Sequence, residues 1–277
     1  MTSKALVLGG GGITGIAWEI GMIAGLFEAG IDLTAADVVV GTSAGSAVGA
    51  QILSGATVEE LYEEQLADAS SEIATKMGLG VIVRFILAGL WPRDETRARA
   101  RLGRTALRAS AVPESERRHV IESRLRLRTW PEQRLLIVAV DAESGEPRIF
   151  DAASGVPIVD AVAASCAVPL VWPPMTVDGH RYMDGGVRSI ANADLAVGCE
   201  RVVVLAPVTA AVRRTGRIST QLAGLGDGVR SVTVSPDSAA RRAIGRRVLD
   251  PARRAGAARA GREQAADVAE SIRPVWL

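Results

Sequence analysis

"DVVVGTSAG", residues 37–45, is the stretch that decides the fold. Three consecutive valines read as a strand buried on both faces, and Gly-Thr-Ser-Ala-Gly stops it at a tight turn. The small residues 44–53 then read as a helix that ends near Gly55. Upstream, "KALVL" (4–8) is another short apolar strand, closed by Gly9-Gly10-Gly11-Gly12. After it Ile16, Ile20, Ile23, Leu26 and Phe27 recur at helical spacing, with Gly30 placed as a C-terminal cap. Strand, loop, helix, strand, turn, helix is the opening of a parallel α/β sheet.

The same alternation returns further on. "RLLIVAVD" (134–141) is a strand, and "AESGEP" turns it into "RIFDAA" as a hairpin. Residues 156–169 read as an amphipathic helix closed by Pro169. "MTVDGHRYMDGG" (175–186) is a second hairpin turning at Asp178-Gly179, and "RVVVLAP" (201–207) a further buried strand. Residues 57–130 interrupt the pattern. They carry no strand signal and become Arg-rich from residue 93, so they read as a helical insertion or cap. Residues 236–277 form an Ala- and Arg-rich helical tail. The expectation is a single domain over residues 1–277, α/β in class, with a cap at about 57–130.

Composition narrows the function classes. The 277 residues are 48% hydrophobic and 23% charged, with a net charge of +1 that offers no field for nucleic acid. The two cysteines, Cys166 and Cys199, lie far apart in apolar segments and read as buried thiols rather than a disulfide or zinc framework. The apolar stretch at the N-terminus is too short for a signal peptide, and no run of roughly twenty apolar residues exists to span a bilayer. The expected location is cytoplasmic, with peripheral membrane contact. The most apolar stretch of the insertion, "MGLGVIVRFILAGLW" (77–91), precedes Arg-rich sequence. Two readings stay open for it: a core helix of the cap, or a segment that enters a lipid interface.

Two glycine motifs carry the chemistry. Residues 10–15 satisfy G-x-G-x-x-G between strand and helix, which alone suggests a dinucleotide site. Such a site needs an acid at the end of the second strand, and that strand ends in Gly41-Thr42-Ser43. The motif at 41–45 is instead G-x-S-x-G, a nucleophile elbow: Ser43 on a strained turn, with Gly41 and Gly45 letting strand and helix approach. Acyl transfer also needs N–H donors at the developing oxyanion, and a run of bare glycine backbone beside the elbow supplies them.

The proton acceptor is the harder question. The order serine, acid, histidine needs a late histidine, and none follows His180. His119 lies in the Arg-rich insertion, and His180 sits in a hairpin turn ahead of Asp184 rather than after it. A carboxylate with a raised pKa can act directly on the serine, and Asp184 of "MDGG" (183–186) is the best placed. Spacing alone leaves open that Asp184 merely caps the next turn.

At this point "GGGGITG" (9–15), "GTSAG" (41–45), "DGG" (184–186) and "AASCAVPLVWPP" (163–174) together resemble the signatures of patatin-like phospholipases. The resemblance covers roughly residues 4–208. It implies a three-layer α/β/α sandwich with a mainly parallel sheet, and hydrolysis of acyl esters in lipids. It implies Ser43 as nucleophile and Asp184 as general base without histidine. It makes Gly10, Gly11 and Gly12 the oxyanion loop. No metal or organic cofactor is implied; the partner is a lipid or other acyl ester. The family usually carries Arg or Lys where this chain has Thr14, a cation associated with the shape of that loop. An acyltransferase on the same scaffold and a non-catalytic lipid-binding protein are the competing readings.

Overall fold

The computed structural model describes residues 3–67, 94–109, 112–211 and 213–277. The apolar stretch 77–91 lies outside them. Strands β1 (Lys4–Leu8) and β2 (Val38–Thr42) flank helix α1 (Gly12–Glu28), and α2 (Ala44–Ile52) leaves directly from the elbow. Gly30, at φ +77°, ends α1 in the left-handed conformation that glycine adopts without steric cost. Of the insertion, α3 (Val58–Leu66), α4 (Glu95–Arg108) and α5 (Glu114–Arg124) are described, and all are helical. Thr57 starts α3 with a reciprocal capping box to Glu60. Strand β3 (Arg134–Asp141) then turns into β4 (Pro147–Phe150). Helix α6 (Ile158–Ser165) leads to the hairpin β5 (Met175–Val177) and β6 (His180–Asp184). Asp178 and Gly179, both at positive φ, make its two-residue turn.

Strand β7 (Arg201–Leu205) lies on the other side of β1 from β2, and β8 (Arg230–Val234) extends the sheet beyond it. β1, β2, β3, β7 and β8 pair in parallel, whereas β4, β5 and β6 pair antiparallel. β8 escapes a sequence reading because "RSVTV" is largely solvent-facing and lacks an apolar run. The resulting eight-stranded sheet is mixed and mainly parallel, and the order in which strands are added reverses at β1, with β2 on one side and β7 on the other. In such a sheet the carboxyl ends of the strands at the reversal open a crevice where ligands bind.

The register on β3 brings two distant segments together. β2 pairs with residues 134–138 and β4 with 137–140, so these two strands lie on opposite edges. β6 pairs with residues 139–141, overlaps β4, and therefore lies on the edge that β2 occupies. Thr42, at the end of β2, faces Val138, and the next position, Ala139, faces Asp184. The strand that ends in the elbow and the strand that ends in Asp184 thus meet head-on.

The two faces of the sheet are covered unequally. Leu6, Leu8 and Val39 point into the large core beneath α1, α2 and α6, and Val7, Val38 and Val40 alternate to the other side. That second face is closed mainly by a helical turn at Ala193–Ala196 and by the short helix α7 (Ile218–Ala223). The C-terminal tail comprises α8 (Ser238–Ile244) and α9 (Arg254–Trp276). Far from being an appendage, α9 lies on α1 along a seam of small residues. A β-carbon on Gly21 would stand 2.0 Å from the Ala258 carbonyl oxygen, and one on Gly261 2.3 Å from that of Trp18. Trp276, 1% exposed, closes the seam with its indole N–H on the Asp32 carbonyl. No helix among the described residues is long and apolar enough to cross a membrane.

Candidate active site

Ser43 holds φ 52° and ψ −116°, a conformation that L-residues adopt only under constraint. The constraint comes from close packing on both sides. A β-carbon on Gly45 would stand 2.1 Å from the Leu8 carbonyl oxygen, and one on Gly41 2.6 Å from Ser46 Cα. The Gly45 N–H donates to the Gly9 carbonyl at 3.0 Å, tying the elbow to the glycine loop. The Ser43 N–H donates to Ser165 Oγ at 2.9 Å, and that hydroxyl donates to the Val138 carbonyl at 2.6 Å. Ser46 Oγ donates to the Ser43 carbonyl at 2.6 Å. With the backbone so fixed, the Ser43 hydroxyl donates to Asp184 Oδ2 at 2.6 Å.

Asp184 ends β6 and is 5% exposed. Its other oxygen accepts the Gly186 N–H at 2.7 Å, so it both caps the following turn and holds the serine. Burial pushes its carboxyl up to about 6, against the lowering effects of the Ser43 and Gly186 hydrogen bonds and the Arg117 charge. Gly185 lets this corner lie on β3: a β-carbon there would stand 2.2 Å from the Val138 oxygen.

The glycine loop forms the opposite lip. The Gly10 N–H is already committed to the Ile190 carbonyl at 2.8 Å. Gly11 and Gly12 stand at the start of α1, where N–H groups lack intrahelical acceptors, and neither has an acceptor among the described residues. Ala44, first residue of α2, likewise has an uncommitted N–H. Gly12, at φ +63°, tolerates no side chain, since a β-carbon would meet the Val248 carbonyl at 2.7 Å. Thr14 is fully buried and turned away, its hydroxyl on the Val248 carbonyl at 3.3 Å.

These groups open onto a cavity of about 440 Å³ at the carboxyl ends of β1, β2 and β7. Ser43, Asp184 and Gly10–Gly12 line it, with apolar walls from Ile13, Ile16, Leu102 and Ile121. His180 does not reach the cavity; it is exposed and places Nδ1 3.3 Å from Asp141 Oδ2. His119, on α5, does not line it either. Sequence reasoning assigned no role to Ser165, Asn192 or Arg117. Asn192 is buried at positive φ, its amide donating to Thr42 Oγ1 at 3.0 Å and the Ser189 carbonyl at 2.8 Å, which braces the elbow against the segment after Asp184. Its signal would have been an asparagine in a left-handed turn soon after "DGG", too common to single out.

None of the curated protein sequences matches this chain. Among solved structures, VipD from Legionella pneumophila superposes with a TM-score of 0.49 at 15% identity, over 98% of this chain and 67% of that one. The type III effector protein ExoU superposes with a TM-score of 0.42 at 19% identity, over 98% of this chain and 53% of that one. The chain therefore spans about half the length of the second neighbour. The family model described as patatin-like phospholipase matches residues 6–197, a span that runs from β1 through both glycine motifs, the insertion and Asp184, and on that match the chain belongs to the patatin-like phospholipase family.

Proposed function

We propose that the chain is a serine hydrolase of lipid acyl esters in which Ser43 and Asp184 work as a dyad. The observation that carries the reading is the 2.6 Å hydrogen bond from the Ser43 hydroxyl to a buried aspartate at the mouth of an apolar cavity. An ordinary carboxylate is a feeble base for a serine hydroxyl. Desolvation that raises Asp184 to about 6 makes it more basic while leaving it mostly ionised at neutral pH. As Ser43 Oγ bonds to the ester carbon, its proton passes to Asp184. The carbonyl oxygen takes up the negative charge facing the Gly11, Gly12 and Ala44 N–H groups, where the start of α1 adds its positive dipole end. The carbon–oxygen bond to the alcohol then breaks and the leaving oxygen takes the proton from Asp184. Water gives a proton to Asp184 as it attacks the acyl-serine carbon; the bond to Ser43 Oγ then breaks and that oxygen takes the proton back from Asp184, releasing the acid and restoring Ser43. Gly10 shapes the loop by its tie to Ile190 rather than by donating to substrate.

In this reading the whole chain is one catalytic domain, with the insertion forming a wall of the acyl site. A fluorophosphonate probe tests it. The wild-type protein should be labelled at Ser43, and Ser43→Ala should not be labelled. A wild-type protein that resists the probe, as a non-catalytic lipid-binding protein would, overturns the reading.

A further inference from the structure

Among the described residues, one buried charged side chain of the cavity has no hydrogen-bond or ion-pair partner. Arg117, on α5, is 7% exposed and lies with its guanidinium 4.1 Å over the Trp172 ring. Its Nε is sealed from solvent with no acceptor, and no hydrogen bond or ion pair reaches the guanidinium among the described residues. Burial pushes its pKa down to about 10, so it is charged at neutral pH. Of the other arginines of the cavity, half-buried Arg124 on the same helix adds a second positive charge near Arg117, whereas two are satisfied. Arg188 binds Asp194 and Asn192, and Arg99 binds the Gly145 carbonyl and Thr96. Asp184 feels the Arg117 charge but makes no hydrogen bond or ion pair with it, its oxygens accepting instead from Ser43 and the Gly186 N–H.

A buried guanidinium without an anion is costly, and a site that keeps one is built for an anion that arrives. The stack on Trp172 covers one face of the guanidinium, and with Nε sealed it is the terminal Nη edge on which two oxygens can bind at once. The glycine loop supplies no competing cation, since position 14 is a threonine turned to Val248. Resting on the reading of Ser43 as the nucleophile, we infer that Arg117 is a specificity residue whose guanidinium receives a phosphoryl oxyanion carried by the ester substrate, so that the inserted helix selects anionic over neutral acyl esters.

Two short-chain esters that share acyl groups decide this: dihexanoyl phosphatidylglycerol and uncharged dihexanoylglycerol. In Arg117→Gln the ratio of their kcat/KM values should fall about 10- to 100-fold, the worth of a charge-assisted hydrogen bond. Arg117→Lys, which keeps the charge and loses the fork, should fall between. In Ser43→Ala protein, adding Arg117→Gln should weaken equilibrium binding of dihexanoyl phosphatidylglycerol by the same factor. An unchanged ratio in a folded Arg117→Gln protein overturns the inference. So does inorganic phosphate binding to Ser43→Ala protein as tightly as the phospholipid, which would mark a free-ion site. If Arg117→Gln does not fold, Arg117→Lys decides: a ratio equal to wild type overturns the inference. Should the wild-type protein turn over neither ester, the dyad has failed, and the binding arm still decides the role of Arg117.

Discussion

The cavity has a floor and a wall of different construction. The floor, made by the turns after β1, β2 and β6, is positioned by backbone. Gly45 lies on Leu8, Gly185 lies on Val138, and the Ser43 N–H is held through Ser165. The wall, made by α5, is positioned by side chains: Arg117 on Trp172, and Arg118 on Asp160 at 2.6 Å. A backbone-built floor cannot drift without breaking strand and helix contacts, so it holds Ser43 and Asp184 in place. A side-chain wall can be rewritten residue by residue without touching the floor. On the proposed function, the difference separates where chemistry and where preference reside in this chain.

Removing the reacting groups of the floor should give the largest effect. Ser43→Ala and Asp184→Asn should each lower ester hydrolysis by about 10,000-fold or more, and the double variant should be little worse, because the two act as one unit. Steady-state kinetics on a short soluble ester measures this. Additive losses would break the idea of a single dyad on a rigid floor.

Next comes the backbone itself. Gly45→Ala puts a methyl group into the Leu8 carbonyl, and β1 and α2 must separate to admit it. The expected loss is about 3 kcal/mol of stability or more, measured by urea unfolding. Gly228→Ala, where a β-carbon meets nothing within 4 Å, is the control and should change stability little. Equal losses in both would mean that the floor is not held by close packing. Ser165→Ala is a gentler probe. It leaves the buried Ser43 N–H and Val138 carbonyl unpaired, for about 1–3 kcal/mol of stability.

The floor was the legible part of the sequence. Gly41, Gly45 and the glycine run announce themselves because only glycine permits those approaches, and the apolar runs of β1, β2 and β7 fix the parallel sheet around them. Asp184 was legible as a candidate base for Ser43, and the resemblance implied the pair; spacing alone left a turn-capping role open, because their meeting depends on β6 taking over from β2 along β3, a long-range register. The wall was not legible. Arg117 is one of many arginines in the insertion, and only its burial against Trp172 separates it from its solvated neighbours. Residues 236–277 read as a tail because alanine-rich helix looks the same in solvent or in a seam; the glycines facing α1 decide.

On the proposed dyad, a buried aspartate as the base makes the floor sensitive to pH in a defined direction. Asp184 is raised to about 6 by desolvation, so it protonates as pH falls below that value and can no longer accept the serine proton. kcat/KM should fall about tenfold per pH unit below 6. Stability should move the other way at this group. A carboxyl whose folded pKa lies above its unfolded one makes the native state bind the proton first, so its contribution improves between about 6 and 4. Activity lost at pH 5 without a drop in thermal midpoint sharpens the assignment, whereas loss that tracks unfolding removes it.

The smallest expected effect belongs to His180, and it tests whether the floor needs an imidazole at all. His180 starts β6 and Asp184 ends it, four residues along a strand that rises about 3.4 Å per residue, so the two side chains are some 13 Å apart along the strand axis. Its ring is 64% exposed and sits beside Asp141 at the hairpin end, outside the cavity. A contact of this kind at an exposed side chain contributes about 0–1 kcal/mol. His180→Ala should therefore leave kcat/KM on a soluble ester within about twofold and lower stability by under about 1 kcal/mol. The measurement also closes the remaining route to a triad, since His119 lies on α5 and does not line the cavity either. A His180→Ala enzyme as dead as Ser43→Ala would mean that the hairpin swings over the floor during turnover, and that a base from outside the cavity replaces Asp184.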